Sequence, residues 1–78
     1  MKPLTYYSIG ENAGKLWCVL ERNTELTVSQ MKDLSELDSA DLYAAIGWLA
    51  REGKIFCREQ NGELYFSNRY IQGSFVFG

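Results

Sequence analysis

The dipeptide Asn61-Gly62 stands between two stretches that read with a period of two, residues 55–60 before it and residues 63–67 after it. Asn and Gly accept the positive φ that both central residues of a type I′ turn require, so the pattern predicts a two-residue β-hairpin. The turn sets the register as well, pairing Cys57 with Phe66 and Glu59 with Leu64. Ile55, Cys57, Leu64 and Phe66 then share the face expected in the core, while Phe56, Arg58, Tyr65 and Ser67 share the outer one. Gly53, just upstream, reads as the left-handed stop of a preceding helix.

Before Gly53 the apolar period is helical. Ile9, Ala13, Leu16, Trp17 and Leu20 form one stripe, opposite Glu11, Asn12, Lys15, Glu21 and Arg22. This helix is expected to start near Ser8, with Ser8 and Glu11 as a reciprocal capping box. Gly10 and Gly14 lie four apart on one face, at a cost of up to about 1 kcal/mol each relative to alanine. That spacing fits either close approach of another helix or the hairpin, or a seam for a second subunit.

Glu25-Leu26-Thr27 is short and extended in character, and Thr27 with Gln30 makes a second capping box ahead of Val28, Met31 and Leu34. A helix of about two turns is expected there. Ser35-Glu36-Leu37 breaks the period, Asp38 or Ser39 caps a third helix, and Leu42, Ala45, Ile46 and Leu49 form its inward stripe.

Helix, short strand, helix, turn, helix and hairpin is the order of a winged helix-turn-helix, an α+β fold with a three-helix core and a small antiparallel sheet of two or three strands. At 78 residues with 46% hydrophobic content, the chain makes one domain over residues 8–68, with an N-terminal arm at 1–7 and an apolar tail at 69–78. Tyr70, Ile71, Phe75, Val76 and Phe77 make that tail too apolar to leave in water, given a driving force of about 25 cal/mol per Å2. For the outer hairpin face, cover is expected from this tail, or from Tyr6 and Tyr7 at the other end of the chain, or from a second copy of the chain.

The run from Asp41 through Trp48 to Ile55, together with Ala13-Gly14-Lys15-Leu16-Trp17, resembles a small prokaryotic winged-helix family catalogued as a domain of unknown function. The resemblance spans residues 8–67 and is strongest over Gly47-Trp48-Leu49-Ala50-Arg51-Glu52-Gly53-Lys54. It implies the fold and assigns no activity, cofactor or ligand.

The residues argue against catalysis. The chain contains no His, which removes the commonest general base and the usual partner of a Ser or Cys nucleophile. Cys18 and Cys57 have no CxxC spacing and read as small apolar residues, not as a disulfide, metal ligands or nucleophiles. Paired carboxylates such as Asp38 and Asp41 are accounted for by capping and solvation. No catalytic, cofactor-binding or metal-ligating residue is assigned. With no apolar run near the ~20 residues of a bilayer span, a cytoplasmic protein without a membrane partner is expected.

DNA binding fits the fold but not the charge. Residues 24–53 carry Lys32 and Arg51 against six carboxylates, and the whole chain has a formal charge of -2. The third helix brings Ser39, Ala40 and Asp41 to its first turn, where base readout needs Arg, Lys, Asn or Gln. If DNA is bound, Arg51, Lys54, Arg58 and Arg69 are the residues to touch phosphates. The favoured reading is protein interaction or homodimerisation through hairpin and tail, with Phe56, Tyr65, Phe75 and Phe77 as anchors. Tyr43 and Trp48 on the third helix are further candidates, because Ala40, Ala44 and Gly47 around them let another backbone come close. Trp48 has a second reading, as a core wedge against the first or second helix. A small-molecule pocket beside Trp17 and Trp48 has only aromatic content behind it.

Overall fold

The computed structural model describes residues 6–76. Along the chain run α1 (Tyr6–Glu21), α2 (Val28–Ser35), α3 (Ser39–Arg51), β1 (Phe56–Gln60), β2 (Glu63–Ser67) and β3 (Phe75–Val76). Two helices start where their caps stand. At α2, Thr27 Oγ1 accepts from the Gln30 amide at 3.2 Å and Gln30 Oε1 accepts from the Thr27 amide at 2.9 Å, closing the capping box. At α3 the cap is Asp38 and not Ser39: its Oδ1 accepts from the Asp41 amide at 2.9 Å.

The other end of α3 is a Schellman motif. The Gly53 amide donates to the Ala50 carbonyl at 3.0 Å and the Lys54 amide to the Leu49 carbonyl at 2.9 Å. Gly53 sits at φ +68°, as a left-handed stop requires.

The start of α1 differs from expectation. It begins at Tyr6, so Ser8 lies inside the first turn and does not stand ahead of it as a cap. Tyr6 and Tyr7 belong to this helix and not to an arm; neither is Gly or Pro, so nothing opposes two more helical residues. Residues 1–5 of the expected arm lie outside the described residues, as does Phe77.

The hairpin has the expected turn and register. Asn61 and Gly62 sit at φ +53° and +80°, Cys57 pairs with Phe66, and Glu59 pairs with Leu64. Ile55, Cys57 and Phe66 are buried, but Leu64 is 40% exposed. It lies beside the turn, at the tip of the hairpin, beyond the reach of the helices. On the other face Ser67 is buried and not solvated, because the chain folds back there and Ser67 Oγ donates to the Arg69 carbonyl at 2.7 Å.

The sheet has three strands in the order β2-β1-β3. The tail returns on the same chain: β3 pairs antiparallel with β1, Phe56 with Val76 and Cys57 with Phe75. On the opposite edge Leu26 pairs with Phe66 through two backbone hydrogen bonds of 2.9 and 2.8 Å, so the segment before α2 is extended and ties the helices to the hairpin.

The core joins Ala13, Leu16 and Leu20 of α1 to Met31 of α2, Leu42, Ala45 and Leu49 of α3, and the inner hairpin face. Leu34 is 53% exposed, against expectation, and Ser35 is buried in its place. A helix of eight residues can turn only a narrow stripe inward, and Met31 with Ser35, four apart, forms it. Cys18 is exposed on α1, whereas Cys57 is buried. Burial pushes the Cys57 thiol up, with the Glu59 charge adding to it, so Cys57 stays protonated and unreactive.

Candidate functional site

The outer face of the hairpin is organised by one arginine. Arg58 projects from β1, and its Nε and Nη2 donate to Oε2 and Oε1 of Glu25 at 2.7 and 2.8 Å. Its Nη1 donates to Gln60 Oε1 at 2.6 Å, and the guanidinium carbon lies 4.7 Å from the centre of the Tyr65 ring. A bidentate fork with a cation–π contact beneath it occupies all three nitrogens. Glu25 reaches this position because Leu26, its neighbour, is bridged to Phe66.

The hydrogen bonds from Arg58 hold the Glu25 carboxyl below the usual glutamate range, against the opposing effect of burial. A carboxylate whose folded value is depressed stabilises the fold above its unfolded value, and that contribution disappears as the pH falls through the folded one. The melting-temperature advantage of the wild type over Glu25→Gln is therefore expected to be full above about pH 5 and to shrink below about pH 4. Thermal melts of both proteins across this range measure it.

Lys54 and Arg69 also have local partners. Lys54 Nζ lies 3.7 Å from Glu52, with both side chains well exposed, which makes a weak surface pair. Arg69 reaches back to α1, where its Nη2 donates to the Glu21 carbonyl at 3.2 Å and so satisfies one of the free carbonyls at that helix end. Asn23 serves the same end, its Nδ2 donating to the Val19 carbonyl at 2.7 Å. Arg51 is exposed in the last turn of α3.

The aromatic candidates separate into different places. Tyr43 is 59% exposed on the outer face of α3, where an added Cβ at Gly47 would meet nothing within 4 Å. Trp48 turns the other way and packs half-buried against the core, the edge of its indole 3.6 Å from where a Cβ of Gly10 would stand. Gly10 thus serves a close approach within the chain. Phe56 is half-buried, with Tyr70 edge-on to it at 5.9 Å between ring centres. Tyr65 lies under Arg58, and Phe75 sits in β3 on the β1 edge. The tail and Arg58 therefore supply cover for Phe56 and Tyr65 within one chain.

Between α1, the end of α3 and the start of β1 lies an open apolar groove of about 730 Å3. Trp17 and Trp48 line it with Phe56, and Gly10, Gly14 and Cys18 bring α1 into it. The charged groups lining it are Glu52 and Lys54. Among the described residues no three His, Cys, Asp or Glu side chains converge as a metal site, and no helix is long and apolar enough to cross a membrane.

A family model for a winged helix-turn-helix domain, DUF2582, matches residues 4–68. The chain belongs to this family. The solution NMR structure of protein BT2368 from Bacteroides thetaiotaomicron is similar, with 31% sequence identity and a TM-score of 0.73 over 80% of this chain and 76% of that one. No curated protein matches the chain. The resemblance read from residues 8–67 thus extends a few residues further toward the N-terminus, and a winged helix-turn-helix is the fold of both the family and this DUF2582 domain.

The pocket read beside Trp17 and Trp48 from aromatic content alone corresponds in place to this groove, which both rings line. Its signals were present, as Gly10, Gly14 and Trp17 at helical spacing and Trp48 off the inward stripe of α3. What was missing is the crossing of α1 over α3, which brings Trp17 and Trp48 to one cleft. Gly14 has no Cβ neighbour within 4 Å and no unusual backbone angle. Gly14→Ala is accordingly expected to raise stability by about 1 kcal/mol through helix propensity alone, measured by urea unfolding.

Proposed function

We propose that this DUF2582 domain is a protein-contact module, not an enzyme and not a reader of duplex DNA, and that the outer face of α3 is its principal contact surface. The observation that carries this reading is Tyr43, a large ring standing in solvent between Ala40, Ala44 and Gly47 on the helix that DNA-binding relatives of the fold place in a groove. Aromatic side chains flanked by small ones anchor protein interfaces, because the ring is rigid and the small neighbours admit a second backbone. The partner is another protein or a second copy of the chain.

The DNA reading would rely on Arg51, Lys54, Arg58 and Arg69. Arg58 already holds a carboxylate, Lys54 stands beside one, and Arg69 is turned onto α1, which leaves Arg51 against Asp41 on α3. Each phosphate contact needs a cation that can release counterions, and duplex binders use several. The hairpin face with Phe56 and Tyr65 is a second candidate protein surface, although Tyr70 and Arg58 cover part of it.

Duplex DNA added to labelled protein at about 50 mM salt is expected to leave the amide signals of α3 and the hairpin in place, whereas shifts there that fade as salt rises would overturn the reading. A photo-crosslinking residue at position 43 of the full chain, in its native cells, is expected to give a discrete protein adduct that one at Glu59 does not. Adducts to DNA, or identical products from both positions, would count against it. Light scattering of the purified chain then decides between a partner protein and a second copy.

A further inference from the structure

We infer that the groove between α1, the end of α3 and β1 is a binding site for a small, uncharged, ring-bearing molecule, a role separate from the protein contact on α3. Its volume of about 730 Å3 falls within the roughly 300–1,000 Å3 of small-molecule sites. Twelve residues line it, well short of the about 20–30 a side that a stable protein interface uses.

The chemistry of the lining selects the ligand. Trp17, Trp48 and Phe56 line the groove, and aromatic side chains favour a ring-bearing guest. The charged groups that line the groove, Glu52 and Lys54, stand 3.7 Å apart and neutralise one another. A charged guest meets one attraction and one repulsion there, so charge complementarity favours a neutral molecule.

Gly14 supplies an independent reason. A glycine within a helix costs about 1 kcal/mol relative to alanine, and no packing contact requires one at position 14. Gly10 has the Trp48 indole against it, but a Cβ at Gly14, which lines the groove, would meet nothing within 4 Å. The glycine leaves open the part of the α1 wall beyond that contact, which runs about 6 Å from Gly14 to Cys18.

N-phenyl-1-naphthylamine, an uncharged two-ring fluorophore that brightens away from water, tests this on the full chain. Saturable one-to-one binding is expected, with energy transfer from the tryptophans and shifts of the Trp17 and Trp48 indole N–H signals. Gly14→Leu should fill the groove, weakening the probe by about tenfold or more while leaving the melting temperature unchanged or higher. The anionic analogue 1-anilinonaphthalene-8-sulfonate should bind more weakly than the neutral probe. Absence of saturable binding, indole signals that stay in place, equal affinity in Gly14→Leu, or preference for the anion would each overturn the inference. None of these results bears on crosslinking at position 43, so the two readings fail separately.

Discussion

Phe66→Ala is expected to remove a large part of the domain's stability at 25 °C. Truncating a buried phenylalanine costs about 3–5 kcal/mol, and per-residue norms give a chain of this length only about 4–12 kcal/mol in total. Phe66 is a severe site for two reasons. Its ring is 4% exposed in the core, and its backbone is paired on both sides, with Cys57 of β1 and with Leu26 ahead of α2. Its backbone therefore joins the hairpin to the segment that carries Glu25 to Arg58, and its buried ring packs into the core at that junction. A truncated side chain opens a cavity that this thin core cannot close by moving larger elements inward. Urea unfolding followed by circular dichroism measures the loss. A midpoint within about 1 kcal/mol of wild type would show that the helices hold the fold without the hairpin seam.

Gly53→Val should have the next largest effect, a loss of about 1–3 kcal/mol. Gly53 is at φ +68°, where a side chain crowds the following carbonyl, and a β-branched one does so most. The residue cannot rotate away cheaply, because its amide and that of Lys54 close the end of α3 onto Ala50 and Leu49. Moving them would also displace Ile55, which is fully buried immediately before β1. For a domain of this size each kcal/mol is worth about 4–8 °C in melting temperature, so the change is readily seen by thermal unfolding. Gly14→Ala, expected to stabilise, is the internal comparison: the same residue type is replaced, and the opposite sign follows from the backbone angle alone.

The elements legible in the sequence are those whose cause is local. Thr27 with Gln30, Asp38, Gly53 and Asn61-Gly62 each act within a few residues of chain, and each stands in the structure where its chemistry requires. Ser8 with Glu11 has the same local pattern but did not define a start, since a capping pattern competes with simple extension of a helix and nothing upstream of Ser8 blocked that extension. Leu34 and Leu64 were misread for a different reason. Apolar periodicity says which face a residue is on, whereas burial depends on whether another element lies over that part of the face.

The candidate sites were less legible because charge and ring content do not report partners. Arg58 and Arg69 look like solvated edge cations in sequence, yet Glu25 lies 33 residues from the first and Glu21 lies 48 from the second. By itself the sequence determined the winged helix-turn-helix, the hairpin register, the absence of histidine chemistry and the acidic balance of residues 24–53, all consequences of short-range backbone preference or of composition. Only the tertiary structure decided that the tail lies on β1 of the same chain, that the Arg58 fork is filled by Glu25, and that Trp17 and Trp48 share one groove. Those features depend on which distant segments meet, and that is set by packing the whole core.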